Sequence, residues 1–326
     1  MGTRFTKVPA RGGLLLLLPA LLSIPSVAPA QSNLTAARTL VIARPAGTGM
    51  SEKWSSGYLL QWRVEIGDSS DANLFAFDRH GKAVLQQRIT FGDAATTHIF
   101  DAAVSAQGVI GVAGRALSSA GEVTGFVAMV PLAGGGVSVV QTSPIEPMAM
   151  VFGADGALWV FGYELGPKRS LKRAQLHSAL RRYGPDGALL GEYLPWPQTA
   201  CGTRPAINPP HELVSSADTV ALWLGECGKW FEFSTAGDAR RVLAVGASPA
   251  PGGDAPSFVP SRVAMTDDGG VYAIKGPETL RLNRGLAAWE PVQAAPGFAE
   301  SMLGADGASL VYRGRDANIT WVSVKK

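Results

Sequence analysis

Residues 153–162 read GADGALWVFG, and residues 304–314 read GADGASLVYRG. Self-similarity of this kind marks a repeat architecture, so the number of copies decides the fold. Placing the turn glycines in register finds QGVIGVAG (107–114), DGALWVFG (155–162), DTVALWLG (218–225) and GGVYAIKG (269–276), each ending in glycine seven residues after it starts. The copy at 306–314 runs one residue longer, and YLLQWRVEIG after Ser56-Gly57 reads as a diverged first copy, which makes six.

A second phrase follows the first. LFAFDRHG (74–81), LRRYGPDG (180–187) and WFEFSTAG (230–237) place apolar residues seven and four positions before a glycine, with looser versions starting at Phe126 and Leu280. Both phrases read as short strands meeting at tight turns, where Asp-Gly, Gly-Pro and Asn punctuation supplies positive φ. In Ala157-Leu158-Trp159-Val160-Phe161 the large apolar side chains fall on both faces of the strand, as they do from Val220 to Leu224. Both faces must therefore be buried. A two-sheet sandwich leaves one face of each strand polar, whereas a sheet packed between neighbouring sheets covers both. Six four-stranded units of roughly 49 residues match propeller blades. The fold class is all-β, a six-bladed β-propeller; seven blades of roughly 42 residues are the alternative by length alone. The last unit ends after NITWVSV (318–324) with three strands, and RTLVIA (38–43) can supply the fourth, closing the ring and removing its open edges.

The turns in RRYGPDGALLGEY (181–193) resemble those of bacterial secreted six-bladed propellers of the NHL and TolB-like type. The resemblance implies a fold, which such proteins use for unrelated functions.

The first thirty residues differ in composition from the rest. Arg4, Lys7 and Arg11 form a basic start, Leu14 to Leu22 an apolar stretch and Ala28-Pro29-Ala30 a small-residue end, the pattern of a secretory signal peptide. The stretch is nine residues long and interrupted by Pro19, too short for the roughly 20 of a membrane span. Cleavage after Ala30 leaves residues 31–326 as a single propeller domain, exported to the periplasm or beyond and carrying no membrane span. The segment holds three of the 29 basic residues and none of the 26 acidic ones, so the remainder balances at 26 against 26. That balance gives no broad positive field and disfavours a nucleic-acid partner.

With strands lettered A to D from the axis outward, the two phrases are the A–B and C–D turns, short and on one face. The B–C and D–A connections lie on the other face and include the long segments 67–73, 164–177, 196–210 and 246–261. Long loops on one face of a rigid repeat are the expected binding surface. Cys201 and Cys227 both fall on that face, and in an exported protein they are expected to form a disulfide. Lys168, Arg169, Lys172 and Arg173 lie there in a run of residues without an acid, either a patch for an anionic partner or a solvated hairpin.

Residues just before the inner strands face the central channel. Asp101 and Glu212 occupy matching positions six before the turn residue, Arg262 and Glu300 fit within one residue, and His98, Glu146 and His211 lie nearby. Two arrangements are open: carboxylates holding a divalent cation such as calcium, as in gluconolactonase-like propellers, or a polar channel with internal ion pairs such as Arg262 with Glu300. The local motifs of the gluconolactonase-like ligand set are not matched. Nucleophile-elbow, dinucleotide, P-loop and zinc motifs are absent, and Trp159 and Trp223 sit at matching strand positions as core. The favoured function is an exported binding or scaffold protein recognising a protein, glycan or small anionic ligand on the long-loop face. The alternative is a metal-assisted hydrolase or lyase with an axial site.

Overall fold

The computed structural model describes residues 34–42, 49–66, 71–164, 178–199, 201, 211–245, 262–275, 278–292, 301–314 and 317–324. They form six small antiparallel sheets. Blade 1 comprises β2 (Met50–Ser55), β3 (Tyr58–Arg63), β5 (Leu74–Phe77) and β6 (Ala83–Gln87). Blade 2 comprises β7 (Thr96–Val104), β8 (Val109–Leu117), β9 (Val123–Pro131) and β10 (Ser138–Gln141). Blade 3 runs β11 (Ile145–Phe152), β12 (Leu158–Glu164), β13 (Ser178–Tyr183) and β14 (Leu189–Pro195). Blade 4 runs β15 (His211–Ser215), β16 (Thr219–Leu224), β17 (Lys229–Ser234) and β18 (Ala239–Ala244). Blade 5 runs β19 (Val263–Met265), β20 (Val271–Lys275), β21 (Glu278–Asn283) and β22 (Ala288–Val292). Blade 6 consists of β23 (Ser301–Asp306), β24 (Ser309–Arg313), β25 (Asn318–Val324) and, as its outer strand, β1 (Leu34–Val41).

Six blades, not seven, close the ring, and the N-terminal strand completes the last one as expected. Arg38 stands opposite Trp321 and Val41 opposite Asn318. The pairing starts at Leu34, four residues earlier than the sequence pattern suggests. Each copy of the first phrase is an A–B turn followed by strand B, and each copy of the second is the end of strand C followed by the C–D turn.

The two-faced strand β12 shows what holds the ring together. Trp159 and Phe161 join a core with Leu213, Leu222 and Phe231 of blade 4. Leu158 and Val160 point the other way, into a core with Ala113 and Val127 of blade 2. Each large side chain so buried is worth about 1.5–3 kcal/mol, so blade contacts dominate the stability. Trp159 and Trp223 are core, as read.

At two of the phrase's closing glycines the requirement is steric. Gly114 and Gly162 stand opposite Ile99 and Pro147, where β7 and β11 bulge. A Cβ on either would lie 2.3 Å from the carbonyl oxygen of His98 or Glu146. One feature departs from the four-stranded plan: β4 (Glu65–Ile66) leaves blade 1 and pairs with β7, making blade 2 five-stranded.

Cys201 and Cys227 are bonded, with Cα atoms 5.0 Å apart. Cys227 ends a 3-10 turn between β16 and β17, and Cys201 follows the short helix α1 (Trp196–Thr199). Closing a loop of 26 residues is worth about 3 kcal/mol, a tie on the long-loop face that supplements the cores.

Candidate functional site

The inner strands bring charge to the axis. Lys53, from β2, lies at the centre. Its Nζ donates to Asp101 Oδ1 and Oδ2 at 3.1 and 2.9 Å and to the carbonyl of Met150 at 3.1 Å, and it stands 3.7 Å from Glu212 Oε1. Asp101 is further fixed by the backbone N–H groups of Ala102 at 2.9 Å and Met150 at 2.8 Å, so β2, β7 and β11 are stitched together at the axis. Arg262, just ahead of β19, reaches Glu212 Oε1 with Nη1 at 3.6 Å and the Glu52 carbonyl with Nη2 at 3.5 Å. Two acids and two bases thus cancel within the channel. Glu212 is buried, and that burial pushes its carboxyl pKa up; the charges of Arg262 and then Lys53 pull it back, while Asp101 adds to the rise.

Lys53, Glu212 and Arg262 form the floor of a cavity of about 310 Å³. Its walls are the ends of the A strands, and its rim is drawn from all six A–B turns, with Ser56, Ala106, Ala154, Ser216, Asp267 and Gly307 among them. Three residue steps separate Glu212 from Ser215 at the end of β15, so the floor lies about 10 Å below the rim.

The cavity opens on the face of the short turns, which the reading of the long loops as the binding surface does not anticipate. The A–B turns are too short to fold across the axis. They encircle the channel mouth and leave it open. Most of the long connections on the opposite face lie outside the described residues.

Of the residues singled out in the sequence, the structure brings Asp101, Glu212 and Arg262 together. Glu146 lies farther out and accepts a hydrogen bond from Arg115 Nη1 at 2.9 Å, bridging blades 3 and 2. His98 stands cross-strand from Arg115. His211 packs its ring 5.1 Å from Phe161 and 6.2 Å from Tyr163, beside the blade 4 core and away from the floor network. Glu300, Lys168, Arg169, Lys172 and Arg173 lie outside the described residues.

Lys53 was not singled out. Ser55 pairs directly with Tyr58, leaving Ser56-Gly57 as a two-residue turn, so counting six residues back from the turn passes over it. A lysine between Glu52 and Trp54 in a strand with a buried face was the available signal.

The network bears on a channel cation. Four oxygens, from Asp101, Glu212 and Met150, surround one point, and the ammonium of Lys53 fills it. A divalent ion there would meet that charge at contact distance, so the residues present do not fit a metal. Among the described residues, no group of three or more His, Cys, Asp or Glu side chains is placed to hold one.

No protein-family model and no curated protein matches the chain. Among solved structures, a gluconolactonase from Xanthomonas campestris is similar at 14% identity, covering 90% of this chain and 95% of its own, with a TM-score of 0.50. A streptogramin B lyase structure (15% identity, 88% and 97% covered, TM-score 0.45) and a glucose dehydrogenase (13%, 90% and 99%, 0.45) are also similar. At these identities the likeness concerns the propeller fold alone.

Proposed function

We propose that this chain is an exported propeller that binds a small polar ligand in the cavity at the A–B end of its axial channel. The observation that carries the reading is the cavity itself: a recess ringed by six short turns whose floor is a charged network, offering a few polar groups at the base of a rigid pocket. Arg262 is the group with capacity to spare. Its side chain is one-third exposed (34%), and its contacts among the described residues are the two long ones to Glu212 and Glu52. The metal-assisted reading is disfavoured by Lys53, whose ammonium takes the place of the cation. Export is supported by the disulfide, and no helix among the described residues is long and apolar enough to cross a membrane.

The test is a saturation-transfer NMR screen of small polar acids, sugars and amino acids against the wild type and Ser216→Trp, which narrows the rim. Compounds that bind the wild type and lose binding in the folded variant support the cavity. Binders indifferent to Ser216→Trp place the site elsewhere and overturn the reading.

A further inference from the structure

Resting on that reading of the cavity, we propose that its ligand is a carboxylate taken up together with one proton, the anion settling on Arg262 and the proton on Glu212. The argument begins with unequal pairing on the floor. Lys53 is committed to Asp101, with both carboxylate oxygens within 3.1 Å. Glu212 is left with the remainder: Lys53 at 3.7 Å and Arg262 at 3.6 Å, both beyond good hydrogen-bond length. Arg262 is therefore held by a distant partner while its planar fork, built for bidentate carboxylate recognition, faces the cavity.

An incoming carboxylate that binds this fork competes with Glu212 for the same charge. Glu212 is buried (7% exposed), and a buried carboxylate deprived of its counter-charge is costly as an anion. Protonation removes the cost. The proton comes from solvent, no covalent bond changes, and the floor regains its charge balance: Lys53 with Asp101, Arg262 with the ligand, Glu212 neutral. The charged groups facing Glu212 are Lys53 from β2, Asp101 from β7 and Arg262 ahead of β19. The neighbouring inner strands β11 and β23 bring Val151, Met302 and Leu303 to the cavity wall, none of which titrates. The other charged groups that line it, Arg79, Asp267 and Asp306, belong to the turns and the strand end at its rim, Asp306 accepting a hydrogen bond from Trp321 Nε1 at 2.9 Å. The elevation that burial already gives the Glu212 carboxyl has the sign this exchange requires. A neutral ligand such as a sugar would leave the Glu212–Arg262 contact intact and bind without a proton.

The experiment uses sodium lactate as probe, with lactamide as its neutral counterpart, titrated by NMR into the full mature chain from about pH 8 down to about pH 5.5, where lactate stays ionised. Lactate affinity is expected to rise as pH falls, by up to about tenfold per unit for one linked proton, and lactamide is expected not to bind. Glu212→Gln should bind lactate with an affinity independent of pH, and Arg262→Gln should not bind it. Calorimetry on the wild type in two buffers of different ionisation enthalpy reads the proton directly, whatever the variants' folding. Lactate binding with no pH dependence and no proton uptake overturns the inference while leaving the cavity reading standing. Equal binding of lactamide overturns the anion class. No saturable lactate binding at any pH overturns the inference, and the wider screen then decides the cavity reading separately.

Discussion

Arg313 in the last blade grips Glu52 in the first. Arg313 Nε donates to Glu52 Oε2 at 2.9 Å, Nη2 donates to Oε1, and both side chains are buried. The same guanidinium donates through Nη1 to the carbonyls of Ile42 and Ala317, so one side chain ties together the N-terminal segment, the last blade and the first. Ring closure rests on this latch as well as on the β1–β25 ladder.

Breaking one partner of a buried pair leaves the other uncompensated, at about 3–5 kcal/mol. Glu52→Ala and Arg313→Met should each lower the free energy of chemical unfolding by that order. The double variant should lose less than the sum of the two, because neither charge is then stranded. Strict additivity would mean that the pair does not act as a unit. Deleting residues 31–44 removes β1 and should cause a large fall in melting temperature; unchanged stability would reject the closure.

Gly162→Ala should destabilise by about 1–3 kcal/mol as a Cβ is forced against the Glu146 carbonyl. Gly136→Ala, where nothing lies within 4 Å and the backbone is not left-handed, should be close to neutral. Thermal unfolding of the two variants side by side checks this, and equal effects would remove the steric account of Gly162.

Cys201 and Cys227 should resist alkylation in unreduced, unfolded protein and react after reduction. Reduction should lower stability by about 3 kcal/mol without dissolving the propeller, whose cores lie between blades. Loss of the β-sheet circular dichroism on reduction alone would contradict that division.

The repeat was legible because tight turns need particular residues and because Leu158 to Phe161 offer apolar side chains to both sides, which only a packed stack of sheets satisfies. The closing strand was legible from the three strands left in the last unit, and the cysteine pair from the expectation that an exported chain oxidises its two cysteines. Asp101, Glu212 and Arg262 were found by counting back from turns. Lys53 was missed because a two-residue turn changed the count, and Glu52 because its partner Arg313 lies 261 residues away. The cavity at the A–B end was not legible for a physical reason: loop length indicates where chain accumulates, whereas an axial channel opens where the connections are too short to cross it.

Lys53→Met should leave Asp101 and Glu212 as buried acids without their central cation, costing about 3–5 kcal/mol near neutral pH. Removing the ammonium takes away a charge that pulls the Glu212 carboxyl down, adding to the rise burial already gives it. A raised carboxyl favours the fold below its unfolded pKa, and that contribution is lost as pH rises through the folded value. The variant's deficit relative to wild type should therefore shrink toward acid pH. A deficit that is constant with pH, measured by denaturation at a series of pH values, would show that Lys53 does not neutralise these acids.

The central claim is that the axial cavity at the A–B end is the ligand site, and a crystal structure with the strongest binder from the NMR screen tests it most directly. The account predicts density for the compound between the six A–B turns, with a polar group in hydrogen-bond reach of Arg262. Density on the opposite face, among the B–C and D–A connections, with the cavity holding only solvent, would contradict it.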